Sequence, residues 1–84
     1  MTDIAEILAE RSARYGKFAD HANISQSLKD CMMLTDGWSR LDDDQKEALE
    51  MTCHKIARIL NGDPNYKDSW IDIEGYIKLV SDRL

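Results

Sequence analysis

Apolar residues recur along this chain at intervals of three and four, in four stretches separated by short polar or glycine-bearing breaks. That period belongs to the α-helix, which places positions i, i+3, i+4 and i+7 on one side. Ile4, Ile7, Leu8, Arg11 and Tyr15 predict a first helix over about 3–14, with Thr2 or Asp3 able to cap its start. Arg14-Tyr15-Gly16-Lys17-Phe18 interrupts the pattern, and Gly16 is a natural helix stop. A second helix follows over about 18–34, with His21, Ile24, Leu28, Cys31 and Met32 as its apolar side. Thr35-Asp36-Gly37-Trp38-Ser39 reads as a loop from its turn residues.

The third helix, about 42–60, has the clearest beginning. Leu41 precedes an Asp42 cap and Gln45 stands three residues on, the spacing of a capping box. Asp43 and Asp44 suit the positive end of the helix dipole. Asn61-Gly62-Asp63-Pro64 ends it, a glycine stop with proline just beyond. The fourth helix, about 69–83, carries Trp70, Ile73, Ile77, Val80 and Leu84 as an apolar stripe. No alternating strand pattern, internal repeat or low-complexity tract interrupts this series. The expected architecture is a single all-α domain over residues 1–84, a small bundle of about four helices with short connections.

Size changes what such a bundle can do alone. Eighty-four residues lie near the lower limit for a self-sufficient core, so a homo-oligomer is expected. The composition, 43% hydrophobic and 32% charged, is that of a folded domain rather than a disordered one. The net charge of −5 and the lack of any basic cluster argue against nucleic-acid binding. Cys31 and Cys53 lack a metal or redox spacing and read as buried free thiols. Without a signal peptide, membrane span or lipidation motif, a cytoplasmic protein with no membrane partner is expected.

Projecting the third helix separates a core side of Leu49, Thr52, Cys53, Ile56, Ile59 and Leu60 from a polar one. Glu47, Glu50, His54 and Arg58 share the polar side, where Glu50 and His54 are spaced as an i,i+4 pair. Two carboxylates at i, i+3, such as Glu47 and Glu50, can also share an oxygen-seeking cation such as Mg²⁺. On the fourth helix, Ile71, Gly75 and Leu79 lie away from the core stripe and mark an expected subunit interface. His21 reads as a hydrogen-bonded core histidine. Trp38, Tyr66 and Trp70 read as aromatics that close helix junctions. No phosphate-binding glycine loop or nucleophile motif occurs.

His54-Lys55-Ile56-Ala57-Arg58-Ile59-Leu60-Asn61-Gly62-Asp63-Pro64, then Asp68-Ser69-Trp70-Ile71-Asp72-Ile73-Glu74-Gly75-Tyr76, closely resembles a family of small phage and prophage proteins of unknown function. Arg14-Tyr15-Gly16-Lys17-Phe18 fits the same family, so about two thirds of the chain is covered. That family is distantly similar to nucleotide-modification-associated domains and to MazG-like all-α nucleotide pyrophosphohydrolases. The resemblance implies a bacterial host cell and a Mg²⁺ site of Glu47, Glu50, Asp68 and Asp72. It also implies phosphate contacts from Lys55 and Arg58, and hydrolysis of a nucleoside triphosphate to monophosphate and pyrophosphate. The match is partial: Ser69 stands where a second-pair glutamate is expected, and Asp68 is one residue out of register. Two readings therefore stand, a nucleotide-binding or nucleotide-hydrolysing protein, and a non-enzymatic interaction module such as a phage inhibitor of a host defence or replication factor. Whether the chain is an enzyme stays open at this level.

Overall fold

The computed structural model describes residues 3–84 and shows four α-helices with no strand among them. Helix α1 (Ile4–Tyr15) begins at Asp3, whose carboxylate accepts from the Ala5 N–H at 3.2 Å. Thr2, the other candidate cap, lies outside the described residues. Gly16 ends the helix with φ at +80°, a conformation that a side chain resists. Helix α2 (Phe18–Met33) follows at once. The segment expected as a loop is partly helical, with a 3₁₀ turn over Asp36–Arg40. Its Trp38 ring lies 5.9 Å from the Lys46 ammonium.

Helix α3 (Asp43–Asn61) starts as its sequence requires, with the Gln45 side chain accepting from the Asp42 N–H at 2.8 Å. Arg83 ties the far end of the chain to the same turn. Its guanidinium donates to both carboxylate oxygens of Asp44, at 2.7 and 2.8 Å, and to Asp42 at 3.1 Å. Helix α4 (Lys67–Ser81) starts two residues earlier and stops two residues earlier than its pattern implies.

In space α3 is the central element, touched by α2 and α1 on one side and by α4 on the other. Between α2 and α3, Cys53 is buried and its Sγ lies 3.7 Å from the Met32 Sδ. Burial pushes the Cys53 thiol pKa up, which suits an inert packing group. Cys31 differs from expectation, for it is exposed. The buried residues of α2 are His21 and Ser25, and turning that edge inward carries Cys31 out.

The α3–α4 seam is polar at its centre. Lys55 is buried and its ammonium meets the Asp72 carboxylate at 3.1 Å, beside a buried Ser69. Bringing Ser69 and Asp72 to α3 rotates α4 about its axis. The expected core stripe is displaced to the edge as a result, with Trp70, Ile77 and Leu84 all exposed. On α3, Ala48, Cys53 and Ala57 are the buried apolar residues, and Leu60 is exposed.

One close approach fixes the arrangement. The turn after α1 and the turn after α3 cross with their backbones in contact: the Asp63 N–H donates to the Arg14 carbonyl at 2.8 Å. The Asn61 amide donates to the carbonyls of Tyr15 and Lys17 at 2.9 and 3.0 Å. A Cβ on Gly62 would overlap the Arg14 carbonyl oxygen and the Tyr15 Cα, and one on Gly16 would overlap the Asn61 carbonyl. By contrast, nothing lies within 4 Å of a Cβ placed on Gly75, in the middle of α4.

These environments predict opposite outcomes for one added methyl. Gly62→Ala should destabilise the fold by about 1–3 kcal/mol through overpacking. Gly75→Ala should stabilise it by about 0.5–1 kcal/mol through helix propensity. Urea unfolding of both variants checks the pair, and equal effects would contradict the crossing described.

Candidate functional site

The crossing of the two turns gathers charged and aromatic side chains from α1, α2, α3 and the start of α4. Arg58, near the end of α3, lies over the Tyr15 ring at 4.2 Å. Arg14, at the end of α1, lies over the Tyr66 ring at 4.3 Å. The two tyrosines meet edge to face at 6.1 Å between centroids. Cation–π contacts at such distances favour a guanidinium held flat against a ring, so both arginines are oriented before any ligand arrives. Tyr66 is itself fixed by a 2.9 Å hydrogen bond from its hydroxyl to Asp68.

Deeper in, His21 and His54 form a pair. The His21 Nε2 lies 3.3 Å from the His54 Nδ1, with the rings edge to face at 4.6 Å. His21 also stacks against Phe18 at 6.0 Å. One imidazole must donate and the other accept, so a proton added to the accepting nitrogen breaks the bond. Burial is the main force keeping both neutral. For His54 it acts with the Arg58, His21, Lys55 and Lys29 charges and lowers the pKa to about 4. For His21 burial again leads, helped by Arg58, Lys29 and Lys55, and the pKa is lowered. The His21 Nδ1 is buried with no hydrogen-bond partner among the described residues.

Beside this pair opens a cleft of about 570 Å³ between α1, the Gly16 turn, α2 and α3. Leu8, Arg11, Ser12, Tyr15, Gly16, Lys17, Phe18, His21, His54 and Arg58 line it. Three permanent cations stand in this wall and no carboxylate does, although the chain holds 16 acidic residues against 11 basic ones. The rest of the lining is the Tyr15 and Phe18 rings, the two imidazoles, the Ser12 hydroxyl, the Leu8 side chain and Gly16. A flat ring carrying negative charge is the chemistry such a lining accommodates.

The residues singled out from the sequence distribute unevenly around this cleft. Arg58 lines it, whereas Lys55 is buried against α4 and engaged by Asp72. His54 pairs with His21 rather than with Glu50, because α2 packs on that side of α3 and offers a closer partner. Glu47 is exposed, Glu50 is half-buried, and Asp68 is bonded by Tyr66. Among the described residues no three His, Cys, Asp or Glu side chains are gathered so as to hold a metal ion. Glu47, Glu50, Asp68 and Asp72 thus form no ligand cluster within one chain, and Asp72 already has a cation beside it. Ile71, Gly75 and Leu79 are exposed on α4. Trp70 closes the Pro64 turn through a 2.8 Å hydrogen bond from Nε1 to the Pro64 carbonyl, yet its ring stays largely exposed. Arg11, Lys17, Tyr15 and Phe18 were not singled out as site residues. The signal available for them was the alternation of cation and aromatic across the Gly16 break.

The histidine pair makes stability depend on pH with a definite sign. An unfolded chain takes up protons on histidine near pH 6.5, while folded His54 does so near pH 4. Stability is therefore complete above about pH 6.5 and falls as the pH drops toward 4. The melting temperature should be about 5 °C or more lower at pH 5 than at pH 7.5. His54→Gln should flatten that dependence, and differential scanning calorimetry across the two pH values checks it.

No helix among the described residues is long and apolar enough to cross a membrane. No curated protein and no solved structure matches the chain. Residues 2–83 match the family described as a domain of unknown function, DUF6378, and with nearly every residue covered the chain belongs to that family.

Proposed function

We propose that this domain binds a nucleotide, or a closely similar phosphate-bearing ring compound, in the cleft between α1, α2 and α3. The observation that carries this reading is the charge of the lining. Arg11, Lys17 and Arg58 stand together with two neutral histidines and no acid, in a chain whose net charge is −5. A concentration of one sign against the sign of the whole molecule focuses the local field on a ligand of opposite charge. Exposed Phe18 would supply a face for a base, and Arg58, over the Tyr15 ring at 4.2 Å, would present its guanidinium to phosphate oxygens. A distant resemblance of its family to MazG-like enzymes, read from the sequence alone, would imply the same ligand class.

Binding rather than turnover is what one chain supports. Hydrolysis through Glu47, Glu50, Asp68 and Asp72 with Mg²⁺ would require those side chains to be brought together, and Asp72 to be released from Lys55. The proposed role is accordingly that of a nucleotide-responsive module, with the ligand-binding cleft as its working part.

Titration calorimetry with the common ribonucleoside and deoxyribonucleoside mono- and triphosphates, with and without Mg²⁺, tests the reading. At least one should bind, more weakly as salt rises. Arg11→Glu and Lys17→Glu, both at exposed positions of the cleft wall, should each weaken binding by about tenfold or more, of the order of 1.4 kcal/mol. Binding unaffected by either substitution, or none at millimolar ligand, would overturn the proposal. Release of pyrophosphate that depends on Glu47 and Glu50 would replace binding by catalysis.

A further inference from the structure

We infer that the open face of the α3–α4 hairpin, on the opposite side of α3 from the histidine pair, is covered by the same face of a second copy of this chain. The inference is independent of what the cleft binds.

Three observations lead to it. First, among the described residues no large side chain is fully buried, and several residues whose helical spacing marks them as core lie at the surface instead. Leu60 is 67% exposed, Trp70 53%, Ile77 43% and Leu84 80%. On α3, Leu49, Ile56 and Leu60 follow at i, i+7 and i+11, on α4 Trp70 and Ile77 follow at i and i+7, and Leu84 lies just beyond the end of that helix. Each helix thus carries one apolar stripe.

Second, the two stripes flank the same seam. Lys55 on α3 and Ser69 on α4 are buried at the line of contact between the helices, and each apolar stripe lies about a quarter to a third of a turn to one side. A groove of about 300 Å³ joins them, lined by residues that include Leu41, Leu49, Ile77, Val80 and Leu84. None of its lining residues is charged, in a chain where 32% of residues are. Two copies with a net charge of −5 each can approach closely only where charge is missing, and this face provides that.

Third, the shape and area are those of half an assembly. The radius of gyration is 14.5 Å, where about 12 Å is usual for a compact domain of this length. The accessible surface is 6127 Å², against roughly 5,100 Å² for a compact monomer of this mass. The excess, roughly 1,000 Å², is close to the ~800 Å² that each partner contributes to a stable interface. Stable domains stack at least two layers around one core. Here α2, α3 and α4 lie side by side with α3 in the middle, and a second hairpin, related by a two-fold axis, supplies the missing layer.

Sedimentation equilibrium of the full chain is the test. The expected result is twice the 9.7 kDa of one chain at micromolar concentration. Ile77→Glu and Leu84→Glu are substitutions at sites already open to solvent within the chain, and each should give a monomer that keeps its helical circular dichroism. Leu79→Glu, on the other flank of α4, should remain dimeric. In a Trp38→Phe background, Trp70 emission should shift to the red on dilution as the face is uncovered. A wild-type monomer at 100 µM would overturn the inference. So would dissociation caused by Leu79→Glu but not by Ile77→Glu, which would assign the interface to Ile71, Gly75 and Leu79 instead. If Ile77→Glu fails to fold, the wild-type mass and the dilution shift of Trp70 still decide.

Discussion

Everything at the working end of this molecule depends on two pieces of backbone being allowed to touch. Gly16 and Gly62 face each other's chains so closely that a methyl on either would enter the opposing backbone. The crossing is held by the Asp63 N–H on the Arg14 carbonyl and by an asparagine amide shared between two carbonyls. Each bond alone contributes about 1 kcal/mol. Their consequence is larger than their sum, because α1 has no buried residue and little else anchors it. The crossing sets Arg14 and Tyr15 against Tyr66 and Arg58, and so sets the width of the cleft.

The boundaries of the helices were legible because each is written locally. Asp3 caps α1, Gly16 stops it, Gln45 reaches back to Asp42, and Gly62 with Pro64 ends α3. Such signals act over three or four residues and need no knowledge of the rest of the chain. What could not be read was which side of each helix is covered and by what. A helical projection assumes one buried side, but α3 is covered on two, so Lys55 is buried and His54 meets His21 across α2. The ion pair between buried Lys55 and half-buried Asp72 then rotates α4 away from its apolar stripe. That outcome depends on two charges seventeen residues apart finding one another, which no periodicity encodes.

The same limit explains the uneven fate of the candidate site residues. Arg58 stands in the segment on which the sequence reading rested, and it lines the cleft. Glu47, Glu50, Asp68 and Asp72 share a spacing that metal sites use, but spacing fixes neighbours along one helix and says nothing about the gap between two. Arg11 and Lys17 come from either side of the Gly16 turn, and only the fold makes them partners of Arg58. Net charge was the least informative quantity. It describes the whole surface, whereas a ligand meets the few charges of one wall.

The cations of that wall and the neutrality of the histidines are two sides of one balance. Burial does most of the work in keeping His54 unprotonated, and Arg58, Lys55 and Lys29 add to it by repelling a further positive charge. The same repulsion leaves the cleft with cationic charge that the neighbouring side chains do not neutralise. An anion placed against Arg58 would relieve both, attracting the guanidinium and making a proton on His54 less costly. Linkage requires the converse, that protonation in this pair would favour the anion to the same degree. Ligand and proton would then act on one element, the hydrogen bond between His21 and His54 that joins α2 to α3. A cleft built this way is coupled to the packing of the helices around it, since the groups that would hold the ligand also decide whether the seam beneath it stays closed.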